Sequence, residues 1–253
     1  MKPDKGERAD VFLVSRGFAA SRAEAQAAIE AGNVQADGKL VTKAAQRLRE
    51  TMNVDYQPAH PYVSRGGVKL AAALDRFALS PAGRVCLDIG ASTGGFTQVL
   101  LERGAARVYA VDVGHGQLHA KLRADARVTC LDGVNARDLT AAKLPETLQA
   151  ITADVSFISL KLALPPALRL AAADSWAVLL VKPQFEVGAR GVSKAGIVRD
   201  EASREAALAE ITAWVKGQGW HVVGSMDSPI TGGDGNHEYL LAAHKPDTTR
   251  ASR

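Results

Sequence analysis

Two lysines and two acids occupy places from which an α/β sheet would bring them to one edge. Asp154 closes the apolar run Ala150-Ile151-Thr152-Ala153, and Lys182 closes Val178-Leu179-Leu180-Val181. An ammonium at the end of a buried strand needs a partner, because an unpaired charge out of water is costly. Asp154, on the neighbouring strand, is the expected one. Lys69 starts a helix that precedes the first strand of this half of the chain, and Glu238 opens its last strand. A helix of roughly a dozen residues spans about 18 Å, and a strand of about six residues spans about 20 Å. An antiparallel helix therefore returns Lys69 to the carboxyl edge of the sheet, and an antiparallel last strand begins there with Glu238. Lys69, Asp154, Lys182 and Glu238 are expected to converge. A purely structural set of buried ion pairs would use the same residue types. As chemistry, the set suits methyl transfer to a poor nucleophile such as a ribose hydroxyl, whose proton a neutral lysine can take. The expected roles are Lys182 as base, Lys69 and Glu238 fixing the hydroxyl and the base, and Asp154 positioning Lys182 and facing a cationic donor.

The donor is expected at Asp88-Ile89-Gly90-Ala91-Ser92-Thr93-Gly94-Gly95-Phe96, where an apolar run opens into a Gly/Ser/Thr loop and then a helical pattern. Such a turn presents backbone N–H groups to a nucleotide-like ligand, and glycine lets the backbone approach it. Asp88 would repel a phosphate, so a ligand with a cationic methionine end, S-adenosylmethionine, fits better than NAD or ATP. No Gly-Lys-Ser/Thr follows, which removes a P-loop. Candidate contacts are Asp88, Gly90, Ser92, Gly94, Gly95 and Phe96. Asp112 lies about 20 residues on, where an acid meets ribose hydroxyls. Asp132 and Asn135 are placed to meet an adenine amino group, and Asp154 to meet the donor's charged end. Each acid taken alone also reads as a helix cap or turn former.

These groups need a scaffold. Strands are predicted near 84–89, 107–112, 126–131, 149–154 and 176–182, and helices near 67–77, 95–103, 116–123, 159–172 and 201–217. The alternation implies a parallel sheet covered on both faces. Strands near 220–226 and 237–243 follow, the last antiparallel. Ahead of this, a short helix at 9–14, a capping box at Ser21-Arg22-Ala23-Glu24 and a hairpin through Asp37-Gly38 make a small separate unit. The expected division is an unstructured 1–7, a unit at 8–59, a linker at 60–64, the α/β domain at 65–245 and a tail at 246–253. The 253 residues carry a net charge of +4, a mild excess compatible with an RNA partner. Cys86 and Cys130 have no metal-ligand spacing, so reduced core thiols and no metal are expected. No apolar run approaches a membrane span and the charged N-terminus is no secretory leader, so a cytoplasmic protein without membrane contact is expected.

Several stretches are long enough to carry a resemblance. They are Arg8-Ala9-Asp10 through Ser21-Arg22 to Gly32 and Gly38; Tyr62-Val63-Ser64-Arg65-Gly66-Gly67-Val68-Lys69-Leu70; the Asp88–Phe96 loop; Lys182-Pro183-Gln184-Phe185-Glu186-Val187-Gly188; Gly196-Ile197-Val198-Arg199-Asp200; and Ser228-Pro229-Ile230 to Asn236 and Glu238. Together they resemble the TlyA, or haemolysin A-like, family of ribosomal RNA 2′-O-methyltransferases over nearly the whole chain. The resemblance implies a Rossmann-like, FtsJ-type methyltransferase domain with a mostly parallel seven-stranded sheet, its last strand antiparallel, behind a small α+β S4 RNA-binding domain. It implies a Lys-Asp-Lys-Glu tetrad at Lys69, Asp154, Lys182 and Glu238, S-adenosylmethionine as cofactor, and cytidine ribose methylation in ribosomal RNA or ribosomal subunits. Arg16, Arg22, Lys43, Arg65 and Arg199 are the candidates for RNA contact, to phosphates and shape rather than stacked bases. The haemolysin name carries a rival reading as a membrane-active toxin, which the lack of a span or a strongly basic amphipathic helix opposes. A protein that binds cofactor and RNA without chemistry is a further rival, opposed by the intact tetrad. A methyltransferase for a non-RNA substrate also fits the residues.

Overall fold

The computed structural model describes residues 5–19, 21–188, 192–193, 196–232 and 234–247. The chain divides into two compact units, residues 1–61 and 62–253.

The first unit runs β1 (Glu7–Arg8), α1 (Ala9–Ser15), α2 (Arg22–Glu30), β2 (Val34–Ala36), β3 (Lys39–Leu40), β4 (Arg47–Leu48) and β5 (Val54–Tyr56). Ser21 caps α2 by accepting the Glu24 N–H at 3.2 Å. The hairpin turns on Asp37 and Gly38, at φ 49° and 71°, the paired left-handed backbone that an Asp-Gly turn suits. Strands β1, β4 and β5 escape the sequence reading because two or three residues cannot display a period of two. Glu7, expected in an unstructured segment, pairs with Leu48. Residues 1–4 of that segment and 248–253 of the expected tail lie outside the described residues. Phe12, Leu13, Ile29, Val34 and Leu48 form the core. The fully buried Asp10 joins α1 to α2, accepting from Arg8 at 3.0 Å, Arg22 at 2.8 Å and Gln26 at 2.8 Å. The Arg8 hydrogen bond, with those of Arg22 and Gln26, outweighs desolvation and holds its carboxyl far below the usual range.

The second unit begins with α3 (Gly66–Arg76), followed by β6 (Val85–Ile89), α4 (Gly95–Glu102), β7 (Arg107–Asp112), α5 (Ala120–Arg123), β8 (Val128–Asp132), β9 (Leu148–Ala153), α6 (Leu160–Ala163), α7 (Pro165–Leu170), β10 (Ala171–Val181), α8 (Pro183–Glu186), α9 (Glu201–Gly217), β11 (His221–Asp227) and β12 (Tyr239–His244). The sheet order is β11-β12-β10-β9-β6-β7-β8. Among the described residues of this sheet, β12 alone runs against the direction of the other six strands. This is the parallel sheet covered on both faces that the alternation of elements predicts, and its seven strands with the last one reversed agree with what the family resemblance implies. Side chains alternate across the sheet: Leu87, Ile151 and Leu179 pack under α6, α7 and α9, while Cys86, Val178 and Leu180 pack under α3 and α4. Both cysteines are free; Cys86 is buried but Cys130 only half so, being on an edge strand. The single helix predicted over 159–172 is two, broken at Pro165, whose ring cannot continue α6 but suits the first turn of α7. β10 takes the predicted helix's last residues, starting at Ala171, with a register shift before Trp176.

Candidate active site

The ends of β9, β10 and β12 deliver three of the four expected side chains. Leu179 pairs with Ala153 and Val181 with Tyr239, so Asp154, Lys182 and Glu238 each stand one residue beyond the ladder at the carboxyl edge. Lys69 comes from the first turn of α3. The four form two ion pairs. Lys69 Nζ donates to Glu238 Oε2 at 2.5 Å, and these residues are only 6% and 4% exposed. The preceding loop closes on the same carboxylate: a Cβ at Gly232 would lie 2.6 Å from Glu238 Oε1. Lys182 Nζ lies 2.6 Å from Asp154 Oδ1 and donates to Ser156 Oγ at 2.9 Å, with its cation 6.0 Å from the Phe185 ring centre.

Asp154 also lines a cavity of about 530 Å³ with Gly90, Ser92, Asp112 and Asn135. Gly90 is required there: its φ is 78° and a Cβ would sit 2.2 Å from the Asp154 carbonyl oxygen. The Asp112 carboxylate accepts from the Ser92 N–H at 2.8 Å and the Gly114 N–H at 2.7 Å, which ties two loops at the cavity mouth. Asn135 Oδ1 accepts from the Arg137 N–H at 3.0 Å, leaving its amide NH2 as a donor. Val111, Val134 and Ile158 supply apolar walls, and Val155, Ser156 and Phe157 close one side. The loop 155–158 is not foreseen from the sequence, although its place directly after Asp154 is the available signal.

Five expected cofactor contacts do not line this cavity. Asp88 is fully buried and accepts from Thr97 Oγ1 at 2.6 Å and Thr152 Oγ1 at 3.2 Å. Burial pushes its pKa up to about 7, and its hydrogen bonds tie α4 and β9 to β6. Asp132 is engaged by the Gly116 N–H at 3.0 Å and Arg123 at 2.7 Å. Gly94 lets Leu122 approach, Gly95 lets Ser64 approach, and Phe96 is core.

Of the residues expected at RNA, Arg16 is paired with Glu50 and lies over Phe12, and Arg22 is held by Asp10. Lys43 and Arg199 are exposed, and Arg65 is half-buried at the start of α3. A second cavity of about 510 Å³ in the first unit is lined by Arg16 together with Arg47 and Arg49, which no sequence motif singles out.

An FtsJ-like methyltransferase family model matches residues 62–245, and an S4 domain model matches residues 7–54. The chain is 46% identical over 236 residues, 92% of its length and 88% of the relative's, to the 16S/23S rRNA (cytidine-2′-O)-methyltransferase TlyA of Mycobacterium tuberculosis. It is 43% identical over 235 residues, 92% and 98% of the two lengths, to Hemolysin A of Brachyspira hyodysenteriae. A solved structure carrying the hemolysin name, from Streptococcus thermophilus, is 40% identical and superimposes with a TM-score of 0.76 over 95% of this chain and 89% of that one. A paired tetrad at the edge of a sheet with one reversed strand, preceded by an S4 domain and matched at 46% identity over 92% of the chain, places the chain in the TlyA, or hemolysin A-like, family of FtsJ-like methyltransferases.

Proposed function

We propose that the chain methylates the 2′-hydroxyl of a cytidine ribose in ribosomal RNA, with S-adenosylmethionine as donor. One observation carries this reading. Asp154 lines the cavity and holds Lys182 Nζ at 2.6 Å, so one carboxylate joins the donor pocket to a base. The donor set of the cavity fits the cofactor: Asp112 for ribose hydroxyls, Asn135 for the adenine edge, apolar Val111, Val134 and Ile158 for the ring faces, and Asp154 for the charged end. When bound, S-adenosylmethionine supplies an electrophilic methyl group. Lys182 Nζ, in its neutral form, takes the 2′-hydroxyl proton as that oxygen becomes the nucleophile. Asp154 and Ser156 fix the direction of Nζ, and Asp154 stabilises the ammonium that results. Glu238, held by Lys69, is the second acceptor on the same edge and orients the hydroxyl.

The cytidine and ribosomal RNA assignments follow the names of the relatives, and the S4 unit supports them. Among the described residues no ion pair holds Lys43 of that unit, or Arg65 and Arg199 of the second unit, which leaves them to meet phosphates. Arg16 and Arg22 reach them only through guanidinium nitrogens turned away from Glu50 and Asp10. Such a protein works where ribosomes are assembled, in the cytoplasm. The Hemolysin A relative does not redirect this reading, since no helix among the described residues is long and apolar enough to cross a membrane. Transfer of tritiated methyl groups to ribosomal subunits and to naked ribosomal RNA tests the proposal: counts are expected in RNA with the wild type and not with Lys182→Ala, and counts in protein alone overturn it.

A further inference from the structure

The segment after β10 meets the segment after β9 through the Phe157 and Phe185 rings, whose centres are 5.2 Å apart, and grips it by polar contacts at two places. The first is the contact of Lys182 with Asp154 and Ser156. The second lies one turn later. Glu186, half-buried, accepts from Ser159 Oγ at 2.5 Å and from the Leu160 N–H at 2.9 Å, and so caps the start of α6 from another element. Between the two grips lie Ser156, Phe157 and Ile158, which wall the donor cavity. Phe157 stands at φ 64°, a backbone that a bulky residue keeps only when its surroundings impose it. Glu186 touches neither the cavity nor Lys182. Its burial raises its pKa, while Ser159 and Leu160 favour the charged form.

We infer that Glu186 is a positioning residue for methyl transfer: by latching Ser159 and Leu160 it fixes the 155–158 loop, and through Ser156 it sets the direction of Lys182 Nζ. This rests on Lys182 being the base. Without the latch the loop relaxes toward ordinary backbone, Ser156 leaves Nζ, and the wall of the donor cavity loosens. RNA affinity, which depends on other surfaces, stays.

The test uses the full chain as Glu186→Ala, Glu186→Gln and Ser159→Ala. Gln keeps an acceptor for the Leu160 N–H, and the Ser159 hydroxyl can turn to accept from its amide. Two readouts are taken. One is the steady-state rate of methyl transfer, split into kcat and RNA KM. The other is acetylation of Lys182 by acetic anhydride, followed by peptide mass spectrometry, which needs no activity. For Glu186→Ala we expect kcat to fall about a hundredfold, the scale of a misplaced catalytic group, with RNA KM within twofold of wild type. Lys182 should acetylate several-fold faster. Glu186→Gln should restore both readouts to within a few-fold of wild type, and Ser159→Ala should fall between. If Glu186→Ala does not fold, Ser159→Ala decides by the same two readouts. Unchanged Lys182 acetylation in the folded variants overturns the inference, as does unchanged kcat, even if the melting temperature drops. If the wild type places no methyl on ribose, the functional reading fails instead, and the acetylation result still decides whether Glu186 positions Lys182.

Discussion

Lys69 and Glu238 either serve the reaction or merely hold α3 to the start of β12, and a two-residue cycle separates these roles. Both are almost fully buried and lie 2.5 Å apart. Lys69→Met leaves the Glu238 carboxylate without its partner in a site that Gly232 also closes. Breaking a buried pair from one side costs about 3–5 kcal/mol, whereas replacing both partners with apolar residues of similar volume is often neutral or stabilising. At roughly 2–4 °C per kcal/mol for a domain of this size, Lys69→Met should lower the melting temperature of the larger unit by roughly 6–20 °C. The double variant Lys69→Met/Glu238→Leu should recover most of that loss. Calorimetry or thermal circular dichroism reads stability, and tritiated methyl transfer to ribosomal RNA reads function. The double variant should be stable and inactive. Turnover within a few-fold of wild type in the double variant refutes a role in catalysis, and a Lys69→Met variant as stable as wild type refutes the buried pair itself.

Lys182→Ala should lower transfer by about a hundredfold to ten-thousandfold, the range of a lost general base, with RNA binding by filter retention unchanged. Asp112→Ala should weaken S-adenosylmethionine by about 1.5–3 kcal/mol of charge-assisted contact, roughly tenfold to a hundredfold by calorimetry, whereas Asp88→Asn should leave that affinity nearly unchanged. Asp88→Asn should instead change the response to pH. The folded pKa of Asp88 is raised from 3.8 to about 7, so over that window the folded protein holds a proton that the unfolded chain has lost. Stability therefore falls as pH rises toward 7, by up to about 4 kcal/mol, and chemical denaturation of Asp88→Asn should show a flatter profile. Lys43→Ala should make the log–log salt dependence of RNA binding shallower by about one unit if it neutralises one phosphate. An unchanged slope removes Lys43 from the interface.

The edge that carries the two ion pairs is legible in the sequence because apolar runs locate strand ends, and strand ends set which side chains face the edge. That is why Asp154, Lys182 and Glu238 can be placed without coordinates, and Lys69 with them by matching the length of a helix to that of a strand. The cofactor loop is only half legible. Asp88 looks like a ligand contact because it precedes a glycine turn, but its real partners are Thr97 on the following helix and Thr152 on a strand 64 residues away. Non-local convergence of this kind leaves no local pattern. Asp132 is likewise engaged by Arg123, and Arg22 by the buried Asp10, pairings that no local pattern announces. Pro165 marks the break between α6 and α7, but the continuous apolar run around it reads as one helix. The loop 155–158 carries no periodicity at all, and its shape depends on Glu186, a residue that the chain reaches only after crossing β10.

We propose that this edge of the sheet methylates a ribose hydroxyl. Ribosomal RNA incubated with the purified protein and isotope-labelled S-adenosylmethionine, then digested to nucleosides and analysed by mass spectrometry, tests it most directly. Label is expected in 2′-O-methylcytidine and absent with Lys182→Ala; label confined to a base, or no label in RNA at all, contradicts ribose methylation at this edge.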